Sequence, residues 1–329
     1  MVAHNKLPVL DLITDQMRAV LDKSAELAPD AYATDVGLDE MRQAYIEERR
    51  FWNEGGPVMA ETIDDTVPTP HGEVAIRCHR PVAGTDLPAV VYVHGGGFVV
   101  GNLDTHDRIM RALAAESGAA VVGIDYALSP EAKFPVGIEQ CAALARHLHD
   151  NGSGYHVDGS RLAFAGDSGG ATMSLATTLL LRDQADAGAP AVPVSALALY
   201  YGMYGLRDSM SQRLLGGPWD GLTEDDLAYY LNCHLADPAD ARSPYLDCLA
   251  ADLGRGVPPT YLVAAELDPL RDDTATLAAI LIELGIPCSH EVFPGVLHAF
   301  LHNSRMLDAA ATALAHGGAF LRSALDLTD

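Results

Sequence analysis

The sequence is poor in basic residues, and this deficit limits the partners that the protein can bind. Its 329 residues contain 21 Lys and Arg against 45 Asp and Glu, so the formal net charge at pH 7 is −24. The only lysines are Lys6, Lys23 and Lys133. A surface of this charge repels the phosphates of nucleic acids and of anionic lipids, so we expect neither nucleic-acid nor membrane partners.

Paired cysteines and long apolar runs are also missing. The five cysteines are Cys78, Cys141, Cys233, Cys248 and Cys288. Their number is odd and no CxxC spacing occurs, which predicts reduced thiols rather than a disulfide framework or a zinc site. No run approaches the roughly 18 apolar residues of a membrane span, and no basic stretch followed by an apolar one begins the chain. We therefore expect a cytoplasmic protein.

Apolar runs alternate with helical patterns from about residue 60 onwards. Strands are predicted at Val74–Cys78, Ala89–Val93, Ala119–Ile124, Leu162–Ala165, Val194–Tyr200, Thr260–Ala265 and Ser289–Phe293. Helices are predicted at 105–117, 136–149, 169–182, 274–284 and 304–325. This alternation predicts an α/β fold in which a doubly wound, mostly parallel sheet is covered on both faces by helices.

The N-terminal region precedes this alternation. Apolar residues at helical spacing predict helices at 8–28 and 35–50, and the break Gly55-Gly56-Pro57 follows them. We interpret residues 1–55 as N-terminal cap helices. The catalytic core then comprises residues 56–200 and 248–329.

The segment 201–247 interrupts the alternation between two predicted strands. It has a helical pattern from Thr223 to Leu235 but no clear strand. An insertion at this point lies over the carboxyl edge of the sheet, where such folds bind ligands, so we interpret it as a cap insertion. A surface excursion is the alternative. The cap is favoured by aromatic side chains that are costly to leave in water, namely Trp219, Tyr229 and Tyr230.

A serine lies in a glycine-rich turn between a predicted strand and a predicted helix. Residues 166–170 read GDSGG, and the predicted helix 169–182 follows directly. This is the context of a nucleophile elbow, in which the serine sits on a strained turn and the residues two positions away lack side chains. The sequence therefore predicts Ser168 as a nucleophile, with Gly166 and Gly170 supporting the turn.

A second glycine-rich loop follows the predicted strand Ala89–Val93. His94 is followed there by Gly95, Gly96 and Gly97. Adjacent glycines let backbone N–H groups approach an oxygen that becomes negatively charged during attack on a carbonyl, as an oxyanion hole requires. We predict that these three glycines supply the donors and that His94 braces the loop. A merely flexible loop is the alternative.

A nucleophilic serine needs a base, and the candidates are four of the histidines that follow Ser168 in the chain. Folds with a serine turn of this kind place the acid and then the histidine after the serine. His298 lies in a loop after the last predicted strand and is the favoured base, with His302 as its rival. His290 lies inside that strand, and His234 lies in the predicted cap insertion.

Several carboxylates could orient the base. Asp268 follows the predicted strand 260–265, at the carboxyl end where this kind of sheet displays catalytic groups. Asp272 and Asp273 more simply begin the next helix, where Asp is favoured. Glu266 is a further candidate. The chain order of serine, acid and histidine favours Asp268.

Together these motifs resemble the hormone-sensitive-lipase-like branch of the α/β-hydrolases, and within it bacterial acetyl esterases. The segments that carry the resemblance span nearly the whole chain and are His94–Phe98, Gly101–Arg108, Tyr126–Glu131, Phe134–Pro135, the turn at Ser168, Gly205–Asp208, Asp268–Leu270 and Leu297–Phe300. The resemblance implies an α/β-hydrolase fold with a helical cap. It also adds the N–H of Gly169, where relatives often carry Ala, to the oxyanion hole.

The resemblance further implies a serine carboxylesterase that cleaves small uncharged esters with short acyl groups, from acetyl to butyryl. Ser168, His298 and Asp268 form its triad, an acyl-enzyme is its intermediate, and neither a metal nor another cofactor is required. Another triad hydrolase, such as an amidase, peptidase or lactonase, and a non-catalytic ligand-binding homologue are the alternatives, because a fold alone does not fix a function. We expect a monomer or a homodimer.

Overall fold

The computed structural model describes residues 6–28, 31 and 33–327; positions 1–5, 29, 30, 32, 328 and 329 of the predicted cap and core ranges lie outside the described residues. The strands are β1 Glu61–Thr69, β2 Gly72–Arg80, β3 Leu87–Val93, β4 Ala120–Asp125, β5 Val157–Asp167, β6 Val194–Tyr200, β7 Thr260–Ala265 and β8 Cys288–Phe293. They form one sheet in the spatial order β1-β2-β4-β3-β5-β6-β7-β8.

Most neighbouring strands are parallel, as the sequence predicts. β2 pairs antiparallel with β1 and with β4, and the remaining pairs are parallel. The seven predicted strands are all present, which confirms the α/β arrangement. The prediction missed β1, whose sequence is ETIDDTVPT. β1 is an edge strand with mostly exposed side chains and with Pro68 near its end, so it lacks the continuous apolar run of a buried strand.

Helices connect the strands. They are α1 Asp15–Leu27, α2 Leu38–Asn53, α3 Asp107–Ser117, α4 Val136–Asn151, α5 Gly169–Asp186, α6 Met210–Leu214, α7 Glu224–His234, α8 Arg271–Glu283 and α9 Asp308–Ala324. The helix predicted at 304–325 begins four residues later than expected, at Asp308, and a 3-10 turn at Phe300–Asn303 precedes it.

The first predicted helix, 8–28, is wrong at its start. Val9–Asp11 form a separate 3-10 turn, and α1 begins only at Asp15. Thr14 is extended, and its Oγ1 accepts the N–H of Met17 at 3.1 Å. A threonine in this conformation satisfies a free N–H group of the first helical turn, so it sets the helix start.

Each face of the sheet buries an apolar cluster of its own. Alternate side chains of a strand point to opposite faces. In β3, Val91 belongs to one cluster, whereas Val90 and Tyr92 belong to the other. All three residues are buried, which explains why β3 reads as a continuous apolar run. The packed sheet holds the loops at its carboxyl edge in fixed positions.

Between β6 and β7 the described chain contains helices and turns but no strand, and α6 and α7 lie within the predicted cap insertion. Trp219 packs against the apolar cluster that contains Tyr92. Tyr229 and Tyr230 pack against a smaller cluster that includes Tyr45 of α2. These three aromatic side chains of 201–247 therefore pack against buried apolar side chains of the same protein.

Two further features bear on the sequence predictions. The five cysteines carry free thiols. None of the helices in the described part of the chain is both long and apolar enough to cross a membrane.

Candidate active site

Ser168 lies in a tight turn between β5 and α5. Its backbone has φ 51° and ψ −123°, a conformation that residues other than glycine seldom adopt. The Ser168 N–H donates to the carbonyl of Tyr200 at 2.8 Å. A Cβ atom on Gly166 would lie 2.5 Å from the Gly170 oxygen, and one on Gly170 would lie 2.0 Å from the Val93 oxygen. The turn therefore requires both of the predicted glycines for steric reasons.

The side chains of Ser168, His298 and Asp268 form one hydrogen-bonded chain. His298 Nε2 lies 2.8 Å from Ser168 Oγ, and His298 Nδ1 lies 2.7 Å from Asp268 Oδ2. Asp268 Oδ1 accepts the Leu270 N–H at 2.7 Å, which fixes the carboxylate. Asp268 is fully buried, and His298 is nearly so. This geometry lets the imidazole accept the serine proton while the carboxylate faces the other ring nitrogen.

The charge of Asp268 controls the protonation of His298. Burial alone acts to lower the pKa of His298, but the charge and the hydrogen bond of Asp268 raise it above its usual value. Asp220 and Asp167 act in the same direction. Because a carboxylate can only accept, His298 donates from Nδ1 to Asp268, and Nε2 is then free to accept the hydroxyl proton of Ser168.

The other candidate histidines have different neighbours. His302 Nε2 lies 3.7 Å from Asp167 Oδ2, and burial lowers its pKa well below the usual value. His234, in α7, stacks on the Phe98 ring with centroids 4.0 Å apart. His290 lies on β8, where burial lowers its pKa. Of these histidines, the structure brings His298 into hydrogen-bonding distance of Ser168.

The other candidate acids hold the backbone in place. Asp273 accepts three consecutive N–H groups, those of Tyr204, Gly205 and Leu206. Asp272 accepts the N–H of Ser211 at 2.8 Å, and Glu266 accepts that of Gly295 at 2.7 Å. Asp273 thereby anchors the start of the 201–247 segment to α8.

The glycine loop after β3 lies beside Ser168. Gly96, Gly97 and Gly169 line the same pocket as the serine. The Gly95 N–H instead donates to Asp167 Oδ1 at 3.0 Å. This bond corrects the expectation that Gly95 belongs to the oxyanion donors, because its hydrogen is already engaged. Gly96, Gly97 and Gly169 remain as candidate donors.

His94 contacts this loop through its ring. Its Nδ1 lies 2.8 Å from the Gly95 carbonyl, and its ring stacks on Tyr126 with centroids 4.3 Å apart. Burial, together with the neighbouring His106, lowers the pKa of His94 to about 3. A ring that stays neutral and is held by a hydrogen bond and a stacking contact is suited to support rather than to proton transfer.

Asp167 links the serine turn to the glycine loop, a role that the sequence analysis missed. Its Oδ1 accepts the Tyr92 hydroxyl at 2.7 Å as well as the Gly95 N–H. Burial acts to raise the pKa of Asp167, but His106, His302 and the Tyr92 hydroxyl hold it far below the usual value. The GDSGG motif marks this aspartate, but its partners come together only when β3 and β5 pair.

One group of described side chains has the spacing of metal ligands. His106, Asp167 and His302 each offer one possible ligand atom, and these three atoms lie within 4.8 Å of one another. All three residues are buried. Asp167 Oδ1, however, already accepts hydrogen bonds from Tyr92 and Gly95. We therefore interpret the group as a structural support for the serine turn, in which the two histidines lie 3.4 and 3.7 Å from the oxygens of Asp167.

Ser168 faces a pocket of about 720 Å³, counting the part open to solvent. The helices of the predicted cap ranges supply much of its wall, through Tyr45, Arg49, Leu227, Tyr230 and Leu231. Arg42 of α2 donates to the Val99 carbonyl at 2.9 Å, and Lys133 donates to the Cys233 carbonyl at 3.0 Å. Both helices are thereby attached to loops of the core.

Known proteins share this architecture over nearly the whole chain. Residues 90–302 match a family described by the α/β-hydrolase fold. A hyperthermophilic esterase from the archaeon Pyrobaculum calidifontis is 32% identical, with a TM-score of 0.86 over 97% of this chain and 98% of that chain. A thermostable carboxylesterase cloned from a metagenomic library is 32% identical, with a TM-score of 0.82 over 88% and 98% of the two chains. A thermostable esterase from Pseudomonas putida is 25% identical, with a TM-score of 0.86 over 95% and 98%.

Proposed function

Because the chain belongs to the α/β-hydrolase fold family, in its hormone-sensitive-lipase-like carboxylesterase branch, we propose that it is a serine carboxylesterase. One observation carries this proposal: the hydrogen-bonded chain from Ser168 through His298 to Asp268, at the base of a pocket walled by α2 and α7. Similar proteins of known structure that are described as esterases support it.

In the first stage, Ser168 Oγ attacks the carbonyl carbon of the ester while its proton moves to His298 Nε2. The carbonyl π electrons move onto the oxygen, which the N–H groups of Gly96, Gly97 and Gly169 stabilise in this proposal. The bond from carbon to the alkoxy oxygen then breaks. His298 returns its proton to that oxygen, so the alcohol leaves and an acyl-serine remains.

In the second stage, water attacks the acyl-serine. His298 Nε2 takes a proton from the water as the new carbon–oxygen bond forms, and the same donors stabilise the second oxyanion. Collapse of this intermediate releases the carboxylic acid and returns the proton to Ser168 Oγ. Asp268 stays ionised in both stages and stabilises the imidazolium that forms each time.

The proposed substrate is a small uncharged ester with a short acyl group, from acetyl to butyryl. The acyl range comes from the resemblance of the sequence to acetyl esterases. A pocket with side chains of α2 and α7 above the serine supports a limit on the length of the acyl chain. In this proposal, residues 1–55 and 201–247 form a cap on the core, which comprises 56–200 and 248–329.

Hydrolysis of p-nitrophenyl esters of increasing acyl length tests this function. We expect kcat/KM to be highest from acetate to butyrate and to fall steeply beyond about six to eight acyl carbons, because the side chains of α2 and α7 limit the room for further methylene groups. Equal rates on the palmitate and the acetate would exclude the short-acyl preference. A matching p-nitroanilide that is cleaved faster than its ester would instead indicate an amidase.

The nucleophile is tested by Ser168→Ala with Ser153→Ala, an exposed serine, as the matched control. Removal of the attacking hydroxyl should lower kcat by about 10⁴-fold or more, as triad deletions do in other hydrolases. The control should retain wild-type turnover. If Ser168→Ala keeps activity within about tenfold of the wild type, Ser168 is not the nucleophile.

A further inference from the structure

Asp220 lines the same pocket as Ser168 and His298. It lies in the 201–247 segment, between the helices α6 and α7, and no motif in the sequence marks it. The aspartate is buried, and most of the other side chains that line the pocket are apolar or aromatic. A carboxyl group in such surroundings has to obtain its hydrogen bonds locally.

The two oxygens of Asp220 differ in their partners. Oδ1 accepts the N–H of Gly217 at 3.1 Å and the N–H of Leu222 at 3.2 Å. These bonds hold the carboxyl group in one orientation. Oδ2 is also buried, but it has no hydrogen-bond partner in the described part of the chain.

Nearby charges do not supply the missing bond. Arg49 lines the pocket but pairs with Glu48 at 2.6 Å. Lys6 donates to main-chain carbonyls, at 2.8 Å in the case of Gln212. Burial lowers the pKa of Lys6, although the charge of Asp220 acts to raise it. Burial, opposed by the hydrogen bond from Gly217, raises the pKa of Asp220 to about 7.

We propose that the Asp220 carboxylate is a specificity-determining group that accepts a hydrogen bond from a hydroxyl or ammonium group on the ester substrate. The inference rests on the proposed esterase function: an ester with a hydroxyl donor narrows the proposed class of uncharged substrates, and an ester with an ammonium donor extends it. A substrate donor satisfies Oδ2, which no described protein group pairs, whereas a methyl group in the same position does not. A carboxylate on the substrate is repelled by the same oxygen.

Isosteric esters test this inference, because they differ only in the group that would meet Asp220. On the acyl side the series is ethyl 3-methylbutanoate, ethyl 3-hydroxybutanoate and ethyl 3-aminobutanoate. On the alcohol side the pair is propyl butanoate and 2-hydroxyethyl butanoate. At about pH 8, where Asp220 is mainly ionised, kcat/KM for a donor-bearing ester should exceed that of its methyl isostere about tenfold or more in at least one series.

Asp220→Asn and Asp220→Ala assign the preference to this residue. The asparagine oxygen can keep the bonds to Gly217 and Leu222, but its NH₂ group then replaces the accepting oxygen. The preference for the ammonium ester over its methyl isostere should therefore fall about tenfold in Asp220→Asn, and every donor preference should vanish in Asp220→Ala. Asp225→Asn, which neutralises an exposed aspartate of α7, should leave all ratios at their wild-type values.

The ratios separate the two proposals. Hydrolysis of the methyl isosteres with donor ratios near one in both series would overturn the role of Asp220 and leave the esterase proposal intact. Donor ratios that stay high and unchanged in Asp220→Asn and Asp220→Ala would also overturn it. Hydrolysis of none of these esters would instead count against the proposed function. Because each ratio is taken within one variant, a general loss of activity or stability cancels.

Discussion

The reactivity proposed for Ser168 depends on two side chains far away in the sequence. A serine hydroxyl is a weak nucleophile near neutral pH, so it needs a base at hydrogen-bonding distance. His298 and Asp268 stand 130 and 100 residues further along the chain. The chain order of the three residues follows from the sequence, but the distances of 2.8 and 2.7 Å between their side chains depend on the folded loops.

A pair of aspartate variants tests the acid. Asp268→Asn should lower kcat by about 10³-fold or more, because the asparagine cannot stabilise the imidazolium of His298. Asp272→Asn is the matched control, since Asp272 accepts an N–H of Ser211 and contacts Arg271 at 3.4 Å, away from His298 in the hydrogen bonds of the described residues. Steady-state kinetics on p-nitrophenyl acetate measures both. Loss of turnover in the Asp272 variant alone would show that the acid is misassigned.

The pH profile reports the protonation of His298. The ring must be neutral to accept the Ser168 proton, and Asp268 raises its pKa above the usual value by stabilising the charged form. We therefore expect kcat/KM to fall as the pH drops through this raised pKa. In Asp268→Asn the residual activity should fall at a lower pH, because the neutral amide no longer favours the imidazolium. An unchanged or higher midpoint would contradict the assignment.

At the scale of elements, the strand-turn-helix unit from β5 to α5 holds the nucleophile. The turn packs against the end of β3 and the loop that follows it. Gly169 and Gly170 of the turn therefore differ in how much room a Cβ atom would have. A Cβ on Gly169 would lie 3.1 Å from the Phe98 ring, which can shift slightly. A Cβ on Gly170 would lie 2.0 Å from the main-chain oxygen of Val93, which cannot yield without disturbing the sheet.

Two alanine variants test this difference between Gly169 and Gly170. Gly170→Ala should lower the free energy of unfolding by about 3 kcal/mol or more and should abolish most activity. Gly169→Ala should change stability by less than about 1 kcal/mol and retain activity, because alanine also suits the first turn of a helix. Urea denaturation and ester hydrolysis measure both effects. Equal losses in the two variants would mean that the backbone contact of Gly170 is not decisive.

At the scale of the whole molecule, the net charge of −24 opposes folding. Like charges repel more strongly in the compact state than in the unfolded chain, and dissolved salt screens this repulsion. Raising NaCl from about 0.05 to 0.5 M should increase the free energy of unfolding by about 1 kcal/mol. Urea denaturation measures the change without adding a charged denaturant.

A less acidic variant is the control for this salt effect. Neutralising three exposed acids, Glu73, Glu116 and Asp225, should give a smaller gain from the same salt, since less repulsion remains to be screened. An equal gain in both proteins would trace the effect to general salting-out instead.

The sequence by itself determined the strands that are buried on both faces and the residues of the two glycine-rich loops. Buried parallel strands must be apolar along their length, so β3 to β7 are visible as runs, and steric demands at the serine turn are visible as Gly166 and Gly170. The edge strand β1 meets no such demand, because one of its sides has no neighbouring strand. The sequence pattern for that reason missed it.

Only the tertiary structure decided which polar groups meet. The pairing of β3 with β5 brings the Gly95 N–H to Asp167, which removes Gly95 from the oxyanion donors that the sequence suggested. The fold of the 201–247 segment likewise buries Asp220 in the pocket beside His298. Hydrogen bonds extend over about 3 Å, whereas their partners here are tens of residues apart, so no local pattern in the chain encodes them.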